Sequence, residues 1–527
     1  MIRVTAVLLL SLCVGARAET VLNRGNGAEP QSLDPQFIGG SGEANIVGDL
    51  MVGLTTPGPD GAPVPGMADR WNVSADGKQW TFHLRKAAWS DGVPVTAGDF
   101  VFAFRRLLDP KNAAPYAFNL WILKNARTIS SGRQRPEALG VRAPDDATLI
   151  LTLEHPAPYL PQLLMHASAD PLPRHLLLAK GAAWTRSYAS DGPYVLREWL
   201  PNDHITLVKN PKFYDAVHVA IDRVNYFPTL DGEAGLKWLR AGRLDTQTPL
   251  PAMEIGWLRA NMKSALHIHP FLGISYIVFN LYYGPLKDLR VRRAINLAYD
   301  REAVAEKILR LGERPAYGIV PPGMANYPGG AAMDFAREPY PARMAQAQDL
   351  MRAAGYGPGR PLHLTLESSF DPNRKRVAAA LQAMVRPIYI DLEITQVDLP
   401  VHFHNLAQHQ FQMGTAQWSA DFNDAVNFLD LLRSGGGKNY ARYANPRFDA
   451  ALDAAEAEPD AARRGQDLLA AEKIAIADYP WLVTGFDSTR DLVQPYVRGW
   501  IDNVYDINRT RWLGIDGKMR EAMLANR

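Results

Sequence analysis

Residues 1–18 set the conditions under which the rest of the chain folds. Arg3 gives a positive start, Val4 to Val14 is almost wholly apolar, and the segment closes with Ala16-Arg17-Ala18 before Glu19. A short apolar run ending in small residues at minus three and minus one is the pattern that signal peptidase cuts. The run is too short to cross, as a helix, a hydrocarbon layer about 30 Å thick. The pattern predicts cleavage after Ala18. No later stretch approaches 18 apolar residues, so a soluble exported product is expected. The only cysteine, Cys13, leaves with that segment. What remains has no disulfide, no thiol nucleophile and no thiolate metal ligand. Lipid attachment at Cys13 is the alternative, but Leu12 stands where lipoprotein signals carry a small residue.

A chain of 527 residues, 47% hydrophobic and 21% charged, is long and apolar enough for several sub-domains with large cores. Net charge is only +2, with Lys and Arg scattered along the chain. There is no global field to hold nucleic acid or an anionic membrane. The short cluster Arg290, Arg292, Arg293 reads as a solvated helix face.

The texture is mixed α and β, with no short repeat and no low-complexity block. Gln79 to Leu84 and Ala147 to Leu153 alternate as half-buried strands do. Asp300 caps a predicted helix through Val304, Ile308 and Leu311 that stops at Gly312. Met344, Ala347, Leu350, Met351 and Ala354 predict another, ending at Gly355. Phe448, Leu452 and Ala455 start a third, and Leu468, Leu469, Ile474 and Ile476 belong to a fourth near 461–477. Turns at 57–65, Asp191-Gly192-Pro193 and Pro321-Pro322-Gly323 punctuate the chain.

Catalytic signatures are missing. There is no GxSxG elbow, no HExxH and no phosphate-binding glycine loop. His267 and His269, and His402, His404 and His409, offer imidazoles at metal-like spacing. No acidic residue or cysteine nearby completes either set, so they read as polar-face histidines. No metal and no cofactor are expected. The segment Gln417-Trp418-Ser419-Ala420-Asp421-Phe422-Asn423-Asp424 is more informative. A carboxylate beside an indole suits a cationic amine, through a charge-assisted hydrogen bond and an apolar wall. The same residues also read as a solvated loop with one core tryptophan.

Several stretches together change that balance. They are Asn26-Gly27-Ala28-Glu29-Pro30-Gln31-Ser32-Leu33-Asp34-Pro35, Trp80-Thr81-Phe82-His83-Leu84-Arg85, Trp89-Ser90-Asp91-Gly92, Thr96-Ala97-Gly98-Asp99-Phe100, Lys209-Asn210-Pro211 and Trp418 to Asn423. In this order they resemble the extracellular solute-binding proteins of the peptide and nickel class (family 5), from about residue 20 to about 510. The resemblance implies an α/β, two-lobed periplasmic-binding-protein fold (class II, cluster C). Ligand would be enclosed between lobes joined by two crossing segments. One lobe would combine 19–51, 188–275 and 489–527, with a smaller domain inserted at 52–187. The other would be 276–488.

It also implies a function, as a monomeric periplasmic receptor that gives short peptides to an inner-membrane ABC permease. Asp421 would pair with the peptide's α-amino group. Main-chain groups near Gly40, Ser41, Gln417, Trp418 and Ser419 would hold the ligand backbone by strand addition. Tyr116 and Tyr276 would line the cleft, or be ordinary core tyrosines. The same scaffold also serves murein peptides, peptide-like antibiotics and metal chelates. A secreted peptidase would need a nucleophile or metal set that the sequence does not offer. The departures are informative. Gly273 and Ser419 replace two disulfide-forming cysteines, and Leu399 replaces a cleft tryptophan. Leu406, Thr415 and Asn373 replace two arginines and a histidine that receive the peptide carboxylate. The expectation is that a ligand carboxylate finds no cation here.

Overall fold

The computed structural model describes residues 19–525, so the expected leader and Cys13 lie outside it. No helix among the described residues is long and apolar enough to cross a membrane.

Local sequence accounts for most elements. Gln79–Leu84 alternates as expected, burying Trp80, Phe82 and Leu84. It pairs antiparallel with Ala68–Val73 and with Thr148–Thr152, and Val141–Asp145 completes a four-stranded sheet. Thr148–Thr152 departs from half-burial. Leu149, Ile150 and Leu151 are all covered, because this strand is flanked on both edges and Ile150 sits between Thr81 and Arg142. The helix Ala97–Leu108 begins at Thr96, whose backbone N–H donates to Asp99 Oδ2 at 2.8 Å, and packs on that sheet. This reciprocal cap is the physical content of the Thr96-to-Asp99 motif.

The helices Tyr340–Ala353, Pro446–Ala457 and Ala461–Asp478 fall where periodicity places them, and Gly355 takes φ +88° just past the first. The segment after Asp300 differs. Asp300 does cap it, accepting from the Ala303 N–H, but the helix widens into a π-turn over Val304–Leu309. It stops at Arg310 (φ +59°), two residues before Gly312. Arg292 also departs from expectation. It is buried, and its guanidinium donates to the carbonyls of Leu286, Lys287, Asp478 and Tyr479. It holds a helix to the end of another segment instead of facing water.

The main sheet has ten strands. In spatial order they are Ile390–Val397, Leu362–Ser369, Met413–Ser419, Leu266–Phe279, Trp481–Val493, Thr246–Thr248, Val21–Asn26, Arg223–Phe227, His204–Lys209 and Tyr194–Leu200. The two longest, Leu266–Phe279 and Trp481–Val493, lie antiparallel at its centre. One half of the sheet joins them through Thr246 opposite Val493. The other joins through Gly273 opposite Ser419, onward to Phe279 opposite Met413. Midway their register slips: Pro270 faces Ser488, but Ile274 already faces Phe486. A slip of this kind bends and twists a strand pair. The fold is α/β and two-lobed, with this bent strand pair running through the middle of the main sheet.

Candidate functional site

The strand Met413–Ser419 carries the acidic segment to the junction between lobes. Its parallel partner Leu362–Ser369 stays with it only at Met413 and Gly414. Beyond that point no described strand pairs with its second edge; the Thr415 carbonyl is taken by His402, and the main chain past it can receive another strand. Past the strand end, Asn427 organises the turn. Its side-chain oxygen accepts from Trp418 Nε1 at 2.7 Å and from the Asp421 backbone N–H at 3.3 Å. Burial pushes the Asp421 carboxyl up to about 6, although a hydrogen bond from Asn427 and the charge of Lys438 act the other way. An acid raised by desolvation is one whose charge lacks a partner.

Tyr116 comes to the same place from the turn ahead of the short helix Ala117–Leu120. Its ring lies 4.5 Å from that of His166, and the charges of Asp421 and Glu43 add to burial in raising its hydroxyl pKa. Glu43 in turn accepts from the N–H groups of Gly39 and Gly40, at 2.5 and 3.0 Å, ahead of the helix Ser41–Leu50. Gly40 and Ser41 are exposed. Tyr116, Asp421 and the Gly40–Ser41 turn thus converge from three distant parts of the chain. Tyr159 of the small-sheet segment stacks on Phe422, ring centroids 4.8 Å apart.

Tyr276 and Gln417 lie in the wall of a cavity of about 530 Å³ beside the same strand. Tyr276 is buried and stacks on Trp481 at 4.1 Å, and burial raises its hydroxyl pKa. Leu399, Thr415 and Asn373, three of the six replaced family positions, line this cavity too. Leu406 does not, being fully buried behind Gly414. The widened turn contributes Val304, Ala305 and Leu309.

Sequence reasoning misses the charged part of this cavity. Asp487 accepts from Ser275 Oγ at 2.8 Å and from Gln417 Nε2 at 2.9 Å, and burial pushes its carboxyl up to about 6. A Cβ at Gly273 would come within 2.7 Å of Asp487 Oδ2, so a glycine there makes room for this acid. Arg374 and Arg490 also line the wall. Arg490 is held by Leu311 O and Glu313, whereas Arg374 donates only to Ser369 Oγ, at 3.2 Å. Arg374 is thus a cation in the cavity wall that the replaced family positions do not reveal. Matching family positions one by one overlooks an arginine one residue along the helix. The single available signal is a charge, Asp487, at the point where the largely apolar run from Trp481 to Phe486 gives way to polar residues.

The histidine reading is corrected. His402 is not on a polar face. It is fully buried, with Nδ1 2.8 Å from Glu367 Oε1 and Nε2 2.6 Å from Thr415 O.

The fold, with this cleft, is that of a solute-binding protein, and residues 62–440 match the bacterial extracellular solute-binding proteins, family 5 (middle). The chain belongs to that family. It is 33% identical to the periplasmic oligopeptide-binding protein OppA of Escherichia coli (strain K12), over 92% of each chain. It is equally 33% identical to the probable deoxycholate-binding periplasmic protein YgiS of the same strain, covering 92% of this chain and 91% of that one. Among solved structures it resembles the periplasmic murein tripeptide-binding protein MppA in its unliganded open form. There the TM-score is 0.84 at 32% identity, covering 95% of this chain and 98% of that one. These relatives are named as binding proteins, not as enzymes.

Proposed function

We propose that this protein is the periplasmic substrate-binding component of an ABC importer and that it takes short peptides by their α-ammonium group at Asp421. The observation that carries this is a half-buried carboxyl raised by desolvation, beside the Trp418 indole and next to an unpaired strand edge. A peptide supplies what each element lacks: a cation for Asp421 and a main chain for the edge at Gln417, Trp418 and Ser419. Tyr116 and the Gly40–Ser41 turn complete the amine end, and Tyr276 borders the cavity for side chains. The reading includes cleavage after Ala18, a monomer, an inner-membrane permease as partner and no nucleic acid. It divides the chain into 19–51 with 188–275 and 489–527, an inserted 52–187, and 276–488. Hinge closure over the ligand is the motion it implies.

Mass spectrometry of what native protein releases on denaturation tests the ligand class. Peptides are expected. A bile acid, which has no ammonium to offer Asp421, would overturn the reading.

A pH dependence follows. A carboxyl raised to about 6 in the free protein must ionise before it can hold an ammonium. Peptide affinity should therefore fall as pH drops below about 6, by up to roughly tenfold per unit. The peptide amine stays protonated throughout that range. Calorimetry from pH 7.5 to 4.5 measures it, and the Asp421→Asn variant should lose this component of the pH profile.

The far end of the ligand meets Arg374 in this reading. Arg374→Gln should weaken a peptide with a free C-terminus about threefold to tenfold, the modest value of a partly exposed pair. The same change should leave a C-terminally amidated peptide almost untouched. Equal losses for both peptides would remove Arg374 from the carboxylate end.

A further inference from the structure

Away from the cavity, three ligand-bearing side chains meet where the two central strands touch the C-terminal loop. His269 comes from Leu266–Phe279 and Asp491 from Trp481–Val493, and both are buried. Asp506 reaches them from the loop beyond. One imidazole nitrogen and one oxygen from each carboxylate lie within 4.8 Å of one another. His269 Nε2 is 3.9 Å from Asp491 Oδ2 and 3.7 Å from Asp506 Oδ1. His269 Nδ1 faces the Pro270 carbonyl at 3.2 Å, so that nitrogen carries the hydrogen. In the neutral ring the Nε2 lone pair then points at the acids. Thr489 Oγ1 lies 3.0 Å from Nε2 and 3.1 Å from Asp506 Oδ1, but its one hydrogen serves only one of them.

Asp491 is 4% exposed and its Oδ2 has no well-formed hydrogen bond, although the Thr248 side chain comes close enough to favour its charged form. Arg24 is the nearest cation whose field reaches both acids. Its guanidinium is committed elsewhere, to Asn508 O and Thr510 Oγ1, both at 3.1 Å. Two acids and an imidazole lone pair facing one another need something positive between them. A proton shared by Asp491 and Asp506 is one solution. A divalent cation is the other, and it also uses the imidazole nitrogen, which a proton held between the acids does not.

We propose that His269, Asp491 and Asp506 form a binding site for a divalent transition-metal ion on the central strand pair. One imidazole and two carboxylates suit zinc, cobalt or nickel, whereas magnesium and calcium take oxygen ligands. Metal bonds of about 2.0–2.2 Å require the donor atoms to draw together by a few tenths of an ångström. The Thr489 hydroxyl or a water fills the fourth position. Such an ion would fasten both central strands to the loop at 502–506, immediately beside the register slip that starts at Pro270. The His-x-His spacing at 267–269 supplies one of the three ligands, and the two acids come from the far end of the chain.

The test uses the whole mature chain, stripped with chelator and titrated at pH 7.5 without peptide. Calorimetry with zinc should show one site per chain, with micromolar or tighter affinity. Cobalt should give visible absorption, and magnesium and calcium no binding. His269→Gln and Asp506→Asn should each weaken zinc by about a hundredfold or more. His363→Gln, at an exposed histidine beside Asp391, should leave it unchanged. If His269→Gln misfolds by circular dichroism, the more exposed Asp506→Asn decides. Absence of a saturable single site, or zinc affinity equal in these variants and the wild type, would overturn the proposal and leave the shared proton as the occupant.

Discussion

Replacing Asp421 with asparagine should weaken peptide binding by about thirtyfold to several thousandfold. The estimate rests on the roughly 2–5 kcal/mol lost when one partner of a buried, hydrogen-bonded charge pair is removed. The carboxyl is already desolvated, its only hydrogen-bonding neighbour is Asn427, and it lies beside Trp418. A peptide ammonium placed there in low dielectric would be left buried and unpaired in the variant. Acetylating the peptide's N-terminus should cost the wild type a similar amount. In the variant acetylation should add much less, because the two changes break one contact. The fold should be kept, since the acid's burial opposes its charge and asparagine has no charge to desolvate. Calorimetry on the four combinations decides. Penalties that simply add would mean that Asp421 does not receive the amine.

The second large effect concerns stability. Arg464 and Asp424 form a two-pronged pair at 2.6 and 2.9 Å, with side chains 2% and 1% exposed. The guanidinium also lies over the Tyr159 ring, 4.9 Å from its centre. Arg464→Met leaves the Asp424 carboxylate buried without its cation, which should cost about 3–5 kcal/mol in urea unfolding at pH 7. Adding Asp424→Asn should recover much of the loss at pH 7, because the buried charge is gone while an acceptor for the Val426 N–H remains. A single variant as stable as the wild type would mean that water reaches this pair.

Local pattern makes much of the fold legible. Gln79–Leu84, the cap at Thr96, and the helices ending near Gly355 and Ala457 each depend on neighbours within one or two turns of chain. The π-turn at Val304–Leu309 is not legible, because apolar spacing is nearly the same for a helix and for one slightly unwound. Arg292 misleads because a guanidinium is buried by the carbonyls that receive it, and those belong to residues 186 or 187 positions away as well as to the preceding turn. The candidate site divides in the same way. Asp421 and Trp418 announce themselves as neighbours in one segment. Asp487 belongs with Gln417 and Ser275 only after three strands have paired, and His269 meets its acids only where the chain's late strand and final loop return. Chemistry assembled across strands leaves no spacing to read.

The position of Val21–Asn26 governs the order in which the molecule can be finished. This first strand lies inside the sheet between Thr246–Thr248 and Arg223–Phe227. What seals it comes last. Arg24 is satisfied by residues 508 and 510, Asp49 accepts from the Thr510 N–H, and the Arg520 guanidinium donates to Val21 O. A chain lacking everything after residue 507 would bury Arg24 and Asp49 with those bonds unmade, a penalty that grows with each orphaned group. Emerging from a ribosome or a membrane pore, the polypeptide therefore stays unclasped until its tail arrives. The two ends close the lobe together, and long-range closure of this kind is slow.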